Sequence, residues 1–294
     1  LSEFEVRVIT VDSFTQCRFG GNPAAVIPEA SAIPQMYYPQ IANEINLAQT
    51  AFVDEIEKDM YYIEFYTPNR EINFSGHATI GAFYVLGRMG FIRPIENGKK
   101  LVHAKLKNGQ ILDVEIEYDN YEAGLVSILS PEIIINDKFS DIINKESIRK
   151  LLKIKGSDIS AVIIGGAFQE DIFVSLKGKE VLDSLRVDPW ALRALNERTG
   201  TQGLFAMTEE IAKPKLHTYA RYFSPLFGIM EEAATGSSGV VAGKIMLDKM
   251  NMDKIEIYQG QMMKRPAKID IEYRDGKIWL SGHSRRVMDG VMII

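Results

Sequence analysis

The chain has 294 residues, 46% hydrophobic and 25% charged, enough apolar mass for about two domains without a disulfide or metal staple. Lys and Arg number 34 against 39 Asp and Glu, a net charge of -5, and no basic patch is interleaved with aromatics, which disfavours a nucleic-acid binder. The one cysteine, Cys17, excludes an intramolecular disulfide and a multi-cysteine zinc site, and it fits a reducing cytoplasm.

The opening residues carry acids and no basic stretch before an apolar core, so no signal peptide is expected. No run reaches the ~18 apolar residues of a membrane helix. Residues 5–12 are rich in β-branched side chains and read as a strand. Gly20-Gly21-Asn22-Pro23 marks a turn, and Ala24–Ile27 resumes a strand. Met36, Ile41, Ile45 and Ala48 recur at helical spacing over 35–48. Thr50–Val53 and Tyr61–Tyr66 read as strands. A helix opens at Gly76 and runs to about Met89, with Gly90 as its stop. Residues 101–106 and 110–117 form a hairpin about Asn108-Gly109. The best boundary is Asp119–Gly124, giving an N-terminal half, 1–120, and a C-terminal half, 121–294, from which the last strand could cross back.

In the second half, Leu125–Leu129, Glu132–Ile135, Ser160–Gly165, Asp171–Leu176 and His217–Phe223 read as extended. Lys145–Leu152, Pro189–Thr199 and Gly239–Met250 read as helices, and 259–287 as strands with a turn at Asp275-Gly276. An internal likeness joins the halves: Phe65-Tyr66-Thr67-Pro68 precedes the helix start at Gly76, and Tyr222-Phe223-Ser224-Pro225 precedes that at Gly236.

Each helix start offers unpaired N–H groups and a partial positive charge for an anionic or polar substrate. The first holds Gly76, His77 and Thr79. The second holds Thr235, Gly236, Ser237 and Ser238, preceded by Glu231 and Glu232. Were the halves to share a cleft, a carboxylate, an imidazole and hydroxyls would surround it, a set able to do acid–base chemistry. Each piece has a plainer reading: Thr235 as an N-cap, His77 as a core histidine, Glu231-Glu232 as a solvated pair, Cys17 as a small, partly buried residue. The glycine pairs at 20–21 and 165–166 match no nucleotide-binding pattern.

Five segments are together more specific. They are Val11-Asp12-Ser13-Phe14-Thr15 with Gly21–Val26; Asn46–Val53; Phe74–Gly81; Glu231–Ser238; and Gln259-Gly260 with Arg265-Pro266. In this order they resemble the phenazine-biosynthesis PhzF-like family over residues 11–266. The resemblance implies the α+β diaminopimelate-epimerase-like fold, with two pseudo-symmetric halves, each a curved, mostly antiparallel sheet around a central helix. It also implies a homodimer, no cofactor or metal, and a cofactor-independent isomerase that moves a proton on a small carboxylated substrate held between the halves. By the same resemblance Gln49, His77, Glu232 and Ser237 fall on catalytic positions, and Asn22, Gly76, Thr235, Gly236 and Ser238 would bind substrate.

Two positions depart from the family. Its catalytic glutamate is Gln49 here, and its aspartate is Glu232. An amide does not titrate near neutral pH and cannot trade a proton as a carboxylate does. Three readings follow: Glu232 has become the base, the protein binds a ligand without turning it over, or its chemistry never used position 49.

Overall fold

The computed structural model describes residues 4–136, 139, 141–208 and 216–294. The chain forms two compact units, one reaching as far as Leu129 and including Ser281–Ile294, the other Ser130–Leu280.

The first unit contains β1 (Glu5–Ser13), β2 (Asn22–Pro28), α1 (Tyr38–Ile45), β3 (Gln49–Glu57), β4 (Met60–Tyr66), β5 (Glu71–Ile72), α2 (Gly76–Arg88), β6 (Gly98–Leu106), β7 (Ile111–Asp119) and β8 (Glu122–Leu129). The second contains β9 (Ile134–Asn136), α3 (Lys145–Leu152), β10 (Ile159–Gly166), β11 (Glu170–Leu176), α4 (Lys179–Ser184), α5 (Pro189–Thr199), β12 (Leu204–Thr208), β13 (His217–Ser224), β14 (Ile229–Glu232), α6 (Gly236–Met250), β15 (Lys254–Gln259) and β16 (Ala267–Arg274). β17 (Lys277–Gly282) leads out of it, and β18 (Ser284–Ile293) belongs to the first unit.

The two sheets repeat one pattern. In the first unit the order is β18–β1–β2–β3–β4–β6–β7, with pairings antiparallel, antiparallel, parallel, antiparallel, parallel and antiparallel. In the second it is β9–β10–β11–β12–β13–β15–β16, with the same sequence of directions. The short strands β5 and β14 pair with β4 and β13 alike. The likeness between Phe65–Pro68 and Tyr222–Pro225 therefore falls at equivalent strand ends.

Each sheet has a helix at its centre. Every residue of α2 from Gly76 to Gly87 is buried, and the helix packs on β1, β2, β3, β7, β8 and β18. A helix apolar on most of its surface needs such enclosure. Ile80, Phe83, Val85 and Leu86 each contribute roughly 1.5–3 kcal/mol by leaving water. In the second unit α6 packs on β10, β12, β15 and β16. The outer sheet faces carry further cores. In the first unit, Tyr38 of α1 stacks on Phe52 with ring centroids 3.9 Å apart. In the second, Leu151, Leu152, Leu182 and Leu192 from α3, α4 and α5 pack with Ile172 and Val174.

Local signals explain most boundaries. Asn144 caps α3 through the N–H groups of Glu146 and Ser147, Asp188 caps α5, and Gly200 ends α5 with φ 73. Asp275 and Gly276 both have positive φ, 52 and 72, as a two-residue hairpin turn requires. The helix expected over 35–48 is shorter. It begins after a 3₁₀ turn at Gln35–Tyr37 and ends where Asn46 turns left-handed at φ 53. Met36 is accordingly exposed. Asp119–Gly124 holds the tight turn joining β7 to β8, which pair with one another in the first unit. Cys17 is exposed rather than partly buried, because the β1–β2 loop turns it outward while the Thr15 hydroxyl accepts its N–H. Among the described residues no helix is long and apolar enough to cross a membrane.

Candidate functional site

In the first unit the starts of β2, β3 and α2 bring Asn22, Gln49, Gly76 and His77 together. The parallel β2–β3 register sets Ala24 opposite Gln49, which fixes the depth of both strand ends. Asn22 Nδ2 lies 3.0 Å from His77 Nδ1. Which of the two donates depends on the ring tautomer and on which way the Asn22 amide is turned. Burial pushes the imidazole down to about 3, against a smaller upward pull from the Pro23 carbonyl. His77 is therefore a neutral polar group at physiological pH, suited to polarising a substrate without bringing a cation.

Ser75 occupies the N-cap of α2. Its hydroxyl oxygen accepts the Ala78 N–H, and its O–H donates to Gln49 Oε1 at 3.5 Å. Gln49 is buried, so its amide is fixed beside the helix start. Close packing leaves little latitude nearby. A Cβ on Gly21 would lie 2.1 Å from the Ser13 carbonyl oxygen, and its φ of +58 already favours glycine.

In the second unit the expected residues gather where β14 meets α6. Glu232 is buried, and its Oε2 accepts the Thr235 hydroxyl at 2.6 Å. Thr235 holds the N-cap position, but its side chain caps nothing, being diverted to Glu232. The first-turn N–H groups of α6 are thus left without a side-chain cap. Gln259 braces this loop. Its Nε2 donates to the Glu232 carbonyl at 2.8 Å, and its Oε1 accepts the Thr235 N–H at 3.2 Å. The adjoining Gly260 has φ +82, and a Cβ there would lie 2.2 Å from the Arg265 carbonyl oxygen. Gly236 opens the helix and Ser237 is half-buried. Glu231 is no solvated partner of Glu232, because Arg221 grips it with two hydrogen bonds of 2.9 and 2.8 Å.

Ser238 reveals a residue that the sequence reading missed. Its hydroxyl donates to Asp171 Oδ2 at 2.7 Å rather than pointing at a ligand. Asp171 is 1% exposed and also accepts from Tyr222 at 3.1 Å and Gln169 at 3.2 Å. Burial outweighs these donors and pushes its carboxyl up to about 6. The available signal was a carboxylate inside an apolar strand, Ile172–Val174, which demands partners.

The other histidines stand elsewhere. His103 meets Asp113 at 3.0 Å, and His217 lies edge-on to Tyr219 and Tyr258. Among the described residues no cluster could hold a metal ion.

The sequence model of a family described as phenazine biosynthesis-like protein matches residues 11–290. An uncharacterized isomerase of Clostridium acetobutylicum is 29% identical over 283 residues, covering 91% of this chain and 89% of that protein. Among solved structures, a phenazine biosynthesis protein of the PhzF family from Bacillus anthracis superposes with TM-score 0.83 at 20% identity, covering 99% of this chain and 100% of the other. A hydroxyproline epimerase of Agrobacterium vitis gives TM-score 0.65 at 8% identity, covering 99% and 93%. The fold is thus the α+β fold of the epimerases, and the curated likeness is to proteins named isomerases.

Proposed function

The chain belongs to the phenazine biosynthesis-like protein family, and from that premise we propose that it is a cofactor-independent isomerase that moves a proton on a small carboxylated substrate. The observation that carries this reading is the buried Glu232 carboxylate, held by the Thr235 hydroxyl at a helix start whose cap has been withdrawn. Uncapped N–H groups and the helix dipole suit the substrate's carboxylate. Glu232 takes a proton from a substrate carbon, and the electron pair spreads into the adjoining unsaturated system. The carboxylic acid so formed returns the proton to a different carbon, so atoms and charge balance without a redox partner. Ser237 stabilises the oxygen on which charge develops. Thr235 and Gly236 shape the binding at this helix start. In keeping with the family resemblance, the protein works as a cytoplasmic homodimer.

The test is to incubate the protein with candidate unsaturated carboxylic acids in deuterated water and follow isotope uptake by NMR. Wild type should exchange, and Glu232→Gln should be slower by about 10²–10⁴-fold. Equal rates in both proteins would remove Glu232 from the chemistry.

Gln49 favours a second reading, a binding protein without turnover. Under it, wild type binds such acids with no isotope uptake, and Gln49→Glu gains isomerisation. An active wild type that Gln49→Glu leaves unchanged rules this reading out.

A further inference from the structure

The first unit holds a cavity of about 510 Å³ apart from the helix starts, lined by Arg18, Tyr84, Arg88, His283, Arg285 and Arg286, with Asp119 and Glu122 at its side. This volume lies within the range of small-molecule sites.

The charges in it are unevenly spent. Arg88 is paired with Glu122 at 2.6 Å, and Arg286 reaches Asp289 at 3.4 Å. Asp119 accepts from the Asn120 amide. Arg18 and Arg285 have no carboxylate among the described residues. Backbone carbonyls instead orient them: Arg18 Nε donates to the Arg286 oxygen at 3.3 Å, and Arg285 Nε to the Gln16 oxygen at 2.9 Å. Their other N–H groups remain for a ligand, apart from an Arg285 bond of 3.4 Å to the Ser284 oxygen. Four guanidinium groups face two carboxylates in a chain whose net charge is -5, so the local sign opposes the global one.

A second observation points the same way. Tyr84 is 5% exposed and lines the cavity from α2, yet its hydroxyl makes no hydrogen bond among the described residues. The hydroxyl opens onto the cavity, where it can donate to a ligand. Planar guanidinium forks match the oxygens of a phosphate.

We propose that this cavity binds a phosphate group, free or carried on a small organic body, between Arg18 and Arg285 with Tyr84 donating from its floor. Nothing in this depends on the isomerase reading, and its readout is binding alone.

Titration calorimetry at low ionic strength, with inorganic phosphate in one arm and phenyl phosphate in the other, tests it. Saturable binding is expected in at least one arm. Arg18→Ala and Arg285→Ala should each weaken it about tenfold or more, as loss of a charge-assisted contact does. Tyr84→Phe should weaken it several-fold with the circular dichroism spectrum unchanged. Tighter binding of phenyl phosphate would identify a carried group as the ligand, and equal or weaker binding would identify the free ion. The proposal is overturned if neither probe binds by about 10 mM, or if both arginine variants bind as wild type does.

Discussion

Asp171 offers the sharpest physical test. Its carboxyl is 1% exposed and is pushed from the ordinary 3.8 up to about 6 by burial, although Ser238, Gln169, Tyr222 and the Gly203 N–H all pull it down. The folded state therefore holds the proton more tightly than the unfolded chain. The consequence for stability is greatest below the unfolded value. As pH rises from about 4 to about 7, ionising the group costs the folded state roughly 2 kcal/mol. Asp171→Asn keeps the shape and does not titrate. Urea unfolding of both proteins, followed by circular dichroism from about pH 4 to about pH 7, isolates this group because the other titrations cancel in the difference. The stability of wild type relative to the variant should fall by roughly 2 kcal/mol across that range. A flat difference would mean that burial and donors balance. A rising difference would mean that the donors dominate and would refute the account of Asp171 as a carboxyl raised by desolvation.

Three other outcomes are expected. His77, lowered from 6.5 to about 3 by burial, should show no imidazole titration by nitrogen NMR between about pH 5 and 9, with stability lost as pH falls below about 6.5 because the unfolded ring takes the proton first. A midpoint near the ordinary value would refute that environment. Gln259→Ala removes partners from the Glu232 carbonyl and the Thr235 N–H. It should destabilise by roughly 1–3 kcal/mol per buried group left unpaired, and urea unfolding that matches wild type would show the brace to be idle. In Gly243→Ala, the new Cβ would meet Ile271 side-chain carbons at 2.7–2.9 Å. Overpacking should cost roughly 1–3 kcal/mol in thermal unfolding, and an unchanged Tm would show that Ile271 gives way freely.

The sequence was most legible where the cause of structure is local. Asn108-Gly109 and Asp275-Gly276 announce their hairpins, and Asn144 and Pro189 mark helix starts to the residue. α6 begins at Gly236, the start marked by the likeness between the halves, whereas the apolar period begins only at Gly239, because Gly236-Ser237-Ser238 carries none and is helical through tertiary enclosure. β12 went unseen. Leu204–Thr208 is buried throughout and lies between β11 and β13, so it shows no alternation, and its Ala and Met are weak strand formers. β15 alternates clearly over Lys254–Gln259, yet the reading began its strands only at Gln259. The candidate site divides in the same way. Family-like motifs mark Asn22, Gln49, His77, Glu232 and Thr235. Asp171 and its partners Tyr222 and Ser238 are 51 and 67 positions apart, and no local pattern encodes so distant a hydrogen bond.

The matching strand orders carry one difference in connectivity. The strand beside β10 is β9, which comes shortly before it in the chain, whereas the strand beside β1 is β18, from far downstream. On the ribosome every residue of the second unit emerges before β18 does. The first unit thus begins its synthesis earlier but acquires its last strand later, and until then β1 presents an unpaired edge along Glu5–Ser13. A nascent chain stalled after the second unit would have that unit protease-resistant and the first still open at its border.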